Sequence, residues 1–208
     1  MVEAVTPNGN LYSLFGIPLY ISSDSYNVNE NELKFINEVE KRYQTSHISS
    51  QNDYILDNEE LQGLKQFYQS WLEEYVYGLL CIEQKIKFYI TQSWSNYLDT
   101  HIDHHMHMHP NSIISGVFYV QTDGTPIQFY RKNPQSDLLL HLGFTENNEW
   151  NSDSVHFNSE QGKVFLFPSS LPHAVSVNQS NTQRISIAFN TFVKGDIGKA
   201  DAYTRLVL

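Results

Sequence analysis

A chain of 208 residues with 40% hydrophobic and 17% charged side chains is long enough to bury a full core and too apolar to stay disordered. Its formal net charge of −10, with thirteen Lys and Arg against twenty-three Asp and Glu, argues against direct binding to nucleic acid, which calls for a basic face. Cys81 is the only cysteine, which excludes an intrachain disulfide and fits a reducing compartment; it reads as a small buried hydrophobe at a helix end. No basic-then-apolar leader opens the sequence, and no apolar run approaches the about 20 residues of a membrane span, so a cytoplasmic protein without a membrane partner is expected.

The first half reads as helical. In NENELKFINEVEKRY, the residues Leu33, Ile36, Val39 and Tyr43 share one face of an amphipathic helix. After a polar stretch, Asp57 followed by Glu60 has the capping-box pattern and announces a second helix carrying Leu61, Leu64, Tyr68, Trp71, Leu72 and Tyr75. From Lys85 the period changes to two. KIKFYITQSW places Ile86, Phe88 and Ile90 inward, and SIISGVFYVQ, TPIQFYR, GKVFLFP, HAVSVNQ and RISIAFNTF read as further short strands. Asp123-Gly124 and Gln161-Gly162 mark turns between them. The fold class is mainly β with flanking helices: a β-sandwich or jelly roll with N-terminal helices packed on one face. One domain spans 1–208, with a helical part over 1–84 and a jelly-roll core over 85–208. The stretch from Lys132 to Asn158 is long for a loop and reads as a lid or binding segment, with Pro134, Trp150 and His156 as positional candidates for substrate contact.

Five of the nine histidines fall within HIDHHMHMHP, from His101 to Pro110. Residues two apart on a strand point the same way, so His107 and His109 share a face with His105, while His104 faces the other side and reads, like His141, as solvated. His173, at the start of a later strand, offers a third imidazole. Two ligands on one strand and one on another cap a metal ion and leave coordination positions open. His101 and Asp103 form an alternative pair, a histidine and a carboxylate. Eleven residues after His173 comes Arg184, a distance that lets one strand turn and its neighbour return. A buried arginine there requires an anion, and the C5 carboxylate of 2-oxoglutarate would supply a bidentate partner. Ser186 faces the same way and could share that carboxylate, and Tyr119 could add a donor. Trp94 and Asn96 could line the same pocket, although Trp94 reads more readily as core.

The segments HMHPNSIISGVFYV, GKVFLFPSSLPHAVSVN and RISIAFN, with LFGIPLY and the SWSN of Ser93–Asn96, resemble a phage and bacterial family of 2-oxoglutarate/Fe(II)-dependent oxygenases. The resemblance implies a double-stranded β-helix (jelly-roll, cupin-like), an Fe(II) centre, and 2-oxoglutarate and O2 as co-substrates. It places the metal ligands at His107, His109 and His173 and the co-substrate arginine at Arg184. It also implies the host cytoplasm if the chain is phage-encoded. Most members of the wider superfamily have a carboxylate where His109 stands. The expected activity is oxidation, most often hydroxylation, of a second substrate, either a protein side chain or a metabolite. The alternative is a cupin-like metal- or ligand-binding module without turnover. A metal-assisted hydrolase or isomerase on the same scaffold is a third reading. A homodimer is compatible with the sequence.

Overall fold

The computed structural model describes all residues except 1–3, 7–8, 12–15, 44–46, 132–142 and 149. In chain order the elements are β1 (Ala4–Thr6), β2 (Gly9–Leu11), β3 (Tyr20–Ile21), α1 (Glu30–Glu38), β4 (Lys41–Tyr43), β5 (Ile48–Ser50), two 3-10 turns (Ile55–Asp57 and Glu59–Leu61) and α2 (Gln62–Glu73). A π-helical turn (Glu74–Leu79) leads to β6 (Lys87–Leu98), β7 (His104–His107), β8 (Ile114–Gln121), β9 (Ile127–Tyr130) and β10 (Ser154–Phe157). Then follow β11 (Val164–Pro168), β12 (His173–Val175), β13 (Arg184–Lys194), β14 (Asp196–Ile197) and β15 (Leu206–Val207). A seven-stranded sheet of order β3-β11-β8-β13-β6-β5-β4 is accompanied by a four-stranded sheet of order β10-β9-β12-β7, with every named pairing antiparallel. This is the expected jelly-roll architecture.

Two apolar layers hold it together. Between the sheets lie Val117, Tyr119, Ile127, Phe129, Phe165, Phe167 and Leu171. On the other face of the large sheet, Phe118, Leu166, Ile187 and Phe189 meet Ile36, Leu64, Tyr68 and Leu72 from the helices. Burying each of these large side chains stabilises the fold by roughly 1.5–3 kcal/mol. No described helix is long and apolar enough to cross a membrane.

The first 84 residues contribute more than helices, because β3, β4 and β5 join the large sheet. Helix α1 ends at Glu38, so Tyr43 sits exposed in β4 and not on a helix face. The capping box belongs to α1: Asn29 Oδ1 accepts from the amides of Asn31 and Glu32, and Glu32 accepts from the Asn29 amide at 2.8 Å. None forms at Asp57, whose carboxylate instead accepts from Lys65 Nζ at 2.7 Å. Cys81 is exposed, at φ +52°, and not a buried hydrophobe. The stretch after Lys132 ends in β10, an edge strand paired with β9.

Register decides which side chains face the space between the sheets. Thr191 opposes Ile90 while Phe189 opposes Ser93, so β6 carries one extra residue against β13. That bulge reverses the alternation. Phe88 faces the helices before it and Tyr97 does so after it, which turns Trp94, Asn96 and Leu98 into the pocket between the sheets. A similar irregularity in β8, between the pairs Ile185↔Gln121 and Ser186↔Tyr119, aims Tyr119 inward.

Gly116 of β8 lies opposite Phe189 of β13 and Leu166 of β11. A Cβ added there would overlap the Phe189 ring and stand 2.9 Å from Leu166 Cδ2. Gly116→Ala is therefore expected to overpack this layer and cost about 1–3 kcal/mol. Urea unfolding checks it: the midpoint should fall with an unchanged m value, and an unmoved midpoint would contradict the packing described.

Candidate metal centre

His107 closes β7, His109 follows two residues later, and His173 opens β12 directly opposite His107. Their ligand-capable nitrogens all lie within 4.8 Å of one another, and His109 Nε2 is 3.2 Å from His173 Nε2. Two nitrogens each about 2.1 Å from a shared metal ion would be roughly 3.0 Å apart at a right angle and roughly 3.4 Å apart at a tetrahedral one. The observed spacing falls between these values.

Ring orientation is set by the backbone. His107 Nδ1 lies 2.9 Å from the carbonyl oxygen of His105, and His173 Nδ1 lies 2.9 Å from that of Leu171. A carbonyl only accepts, so each Nδ1 carries the proton and each Nε2 keeps a free lone pair. His109 lies past the strand end, where its amide donates to the Ser169 carbonyl at 3.0 Å. That turn is fixed by Ser115 Oγ donating to Ser169 Oγ (2.8 Å) and Ser169 Oγ to Ser112 Oγ (2.7 Å). Burial, reinforced by neighbouring imidazoles, lowers His109 to about 3 and His173 to about 4, and burial also lowers His107. All three are neutral at pH 7, the state that binds a metal.

His104 is not solvated. His173 opposes His107 while Val175 opposes His104, so four residues of β7 span three of β12. The extra residue brings His104 onto the His107 side, where its ring stacks on His107 at 4.5 Å and on His47 at 4.5 Å. Burial and the surrounding imidazoles push it down to about 2. His105 is exposed instead, and so are His101 and Asp103, neither of which lines the pocket. His104 escaped the sequence reading because strict alternation has no place for a bulge, and His47 because it stands alone in the polar stretch QTSHISSQND.

The co-substrate candidates come from the facing sheet. Arg184, Ser186 and Ala188 on β13 line the pocket beside Trp94, Asn96 and Leu98 on β6. Arg184 does not return beside the His173 strand, as its spacing suggested; β12 and β13 belong to different sheets and meet across the pocket. Arg184 is 4% exposed and its Nε has no hydrogen-bond partner. Its guanidinium stands 5.0 Å from the Tyr119 ring centroid, a cation–π contact. Burial lowers Arg184, against opposing contributions from Tyr119 and Asp123. Burial also raises the Tyr119 hydroxyl to about 12, against the lowering influence of the adjacent Arg184 guanidinium. The Asn96 Oδ1, opposite Ser186, is buried and unpaired.

Trp94 is a pocket residue rather than core, its ring 5.7 Å from that of His109. Trp150 and His156 are exposed and line no part of the pocket, while Pro134 and His141 lie outside the described residues. The pocket lies between the two sheets and opens to solvent at its mouth.

These imidazoles tie stability to pH. An unfolded histidine titrates near 6.5, whereas His104, His109 and His173 do so near 2, 3 and 4. Below about pH 6.5 the unfolded chain binds protons that the folded one excludes, so stability is full above that pH and is lost as pH falls toward the folded values. The Tm of the metal-free protein is expected to drop between pH 7.5 and 5, and His109→Gln should make the drop shallower. A slope that His109→Gln leaves unchanged would contradict this assignment.

Residues 92–190 match the family described as "Putative 2OG-Fe(II) oxygenase". No curated protein matches in sequence. Among solved structures, the fold is similar to a 2OG-Fe(II) oxygenase family oxidoreductase from Burkholderia pseudomallei (11% identity, 83% of each chain covered, TM-score 0.54). It is also similar to the non-haem alpha-ketoglutarate-dependent epimerase SnoN from nogalamycin biosynthesis (11% identity, 85% of this chain and 78% of that one, TM-score 0.57). A third is HygX from Streptomyces hygroscopicus with nickel, 2-oxoglutarate and hygromycin B bound (9% identity, 84% and 82% covered, TM-score 0.56). At these identities the structural likeness speaks for the fold, and the family match covers the segments that carry His107, His109, His173 and Arg184.

Proposed function

We propose that this chain is a non-haem oxygenase in which His107, His109 and His173 hold Fe(II), while Arg184, with Ser186 and Tyr119, binds the C5 carboxylate of 2-oxoglutarate. The observation that carries the reading is the buried guanidinium of Arg184, left with an unpaired Nε in the same pocket as three converging neutral imidazoles. A bare metal-binding module has no use for such a group. When bound, iron and 2-oxoglutarate supply the oxidising chemistry, in which O2 converts 2-oxoglutarate to succinate and carbon dioxide while a second compound is oxidised, most often hydroxylated.

The residues of the chain perform positioning. The carbonyls of His105 and Leu171 hold two imidazoles in the tautomer that aims Nε2 at the metal. The guanidinium fork fixes one end of the dicarboxylate, with the Tyr119 ring behind it. Val117, Ile127 and Phe167 line the pocket with apolar surface and keep water from the reacting centre. Bound 2-oxoglutarate and metal in the similarly folded HygX support this reading.

Titration calorimetry on the Ni(II)-loaded protein tests it. Arg184→Ala leaves a carboxylate buried and unpaired, which costs about 3–5 kcal/mol. At about 1.4 kcal/mol per tenfold, 2-oxoglutarate should bind about a hundredfold to a few thousandfold more weakly. Arg184→Lys restores charge without the fork and should fall between. Alanine at His107, His109 or His173 should abolish stoichiometric metal binding, whereas His101→Ala and Asp103→Ala should retain it. Unchanged 2-oxoglutarate affinity in a folded Arg184→Ala protein would shift the reading to a metal-binding module without turnover.

A further inference from the structure

The chain is strongly acidic, yet no aspartate or glutamate lines this pocket among the described residues. Its ionisable lining is Arg184 and five histidines, with Tyr97 the remaining titratable group. His109 supplies a neutral imidazole where a carboxylate would have brought a negative charge. On the function proposed above, the metal contributes two positive charges and Arg184 one, and the dianion 2-oxoglutarate cancels two of the three. One positive charge remains in a pocket largely shielded from water, where it is poorly screened. A neutral second ligand would leave it uncompensated.

We propose that the compound oxidised at this site is an anion: a carboxylic, sulfonic or phosphoric acid of small-molecule size. Its acidic group enters beside His47 and His104, the imidazoles that line the pocket without belonging to the triad. A neutral imidazole carries one N–H, and that of His104 can donate to an anionic oxygen. The bulge in β7 places His104 there, and stacking between His47 and His107 holds its ring in place. The inference rests on the oxygenase reading but addresses a different ligand, so the two can fail separately.

The test uses Co(II)-loaded protein saturated with 2-oxoglutarate, titrated with acetate and with acetamide, which match in shape and differ in charge. Equilibrium dialysis of labelled 2-oxoglutarate in the same samples shows whether the co-substrate stays bound. Acetate is expected to bind at least tenfold more tightly than acetamide with 2-oxoglutarate retained, and His109→Asp, which adds a negative charge, should erase that preference. If the variant does not hold cobalt, the acetate-to-acetamide ratio of the unmodified protein decides alone. Equal affinities, a preference that survives His109→Asp, or acetate that only displaces 2-oxoglutarate would overturn the proposal. Failure of 2-oxoglutarate itself to bind would instead overturn the oxygenase reading beneath it.

Discussion

Arg184 is a guanidinium sealed between two sheets, 4% exposed, with its Nε unpaired and, among the described residues, no carboxylate lining the pocket it faces. Burying an unpaired charge is among the costliest things a fold can do. The Tyr119 ring beneath it offsets a part, and Asp123 acts on it only as a lesser electrostatic contribution. On the function proposed above, a ligand supplies the rest of the compensation. That requirement organises the pocket: the large sheet brings the cation, the small sheet brings the imidazoles, and an anionic chelator that touches both satisfies each. A dicarboxylate carrying a keto group beside one carboxylate has that form.

The opposing wall is built on a similar economy of polar groups. His107 and His173 each use the carbonyl two residues earlier to fix the proton on Nδ1, so no additional side chain is needed to orient them. Desolvation then keeps the rings neutral and available at physiological pH. His109 lies beyond the strand and depends on the serine cluster of Ser112, Ser115 and Ser169 for its place. Three neutral imidazoles would pass the charge of a bound metal on undiminished to whatever shares the pocket.

Much of this was legible in the sequence. Period-two alternation located most strands of the core, the His-x-His pair and His173 announced converging imidazoles, and Arg184 announced a buried cation. Part of what escaped has a common cause, because alternation cannot register an extra residue. The bulge in β6 converts Trp94 from apparent core to pocket lining, and the one in β7 brings an apparently solvated His104 against His107. Spacing also misled at Arg184, where eleven residues suggested adjacent strands and the chain instead crosses to the other sheet. In the first 84 residues the same composition supports helix or edge strand, and pairing to β6 and β11 decides for β5 and β3. Asp57 and Glu60 had the letters of a capping box, but the chain there turns in 3-10 geometry.

The central claim is that one metal ion and one 2-oxoglutarate are held together by the triad and Arg184. Anaerobic visible absorption of the Fe(II)-loaded protein tests it most directly, because a keto acid chelated to ferrous iron produces a metal-to-ligand charge-transfer band that neither component shows alone. The band should appear on adding 2-oxoglutarate, saturate at one equivalent, and require far higher concentrations of pyruvate, which keeps the chelating end but lacks the carboxylate that Arg184 would bind. Iron demonstrably bound with no band on addition of 2-oxoglutarate, or a band that pyruvate elicits equally well, would contradict it.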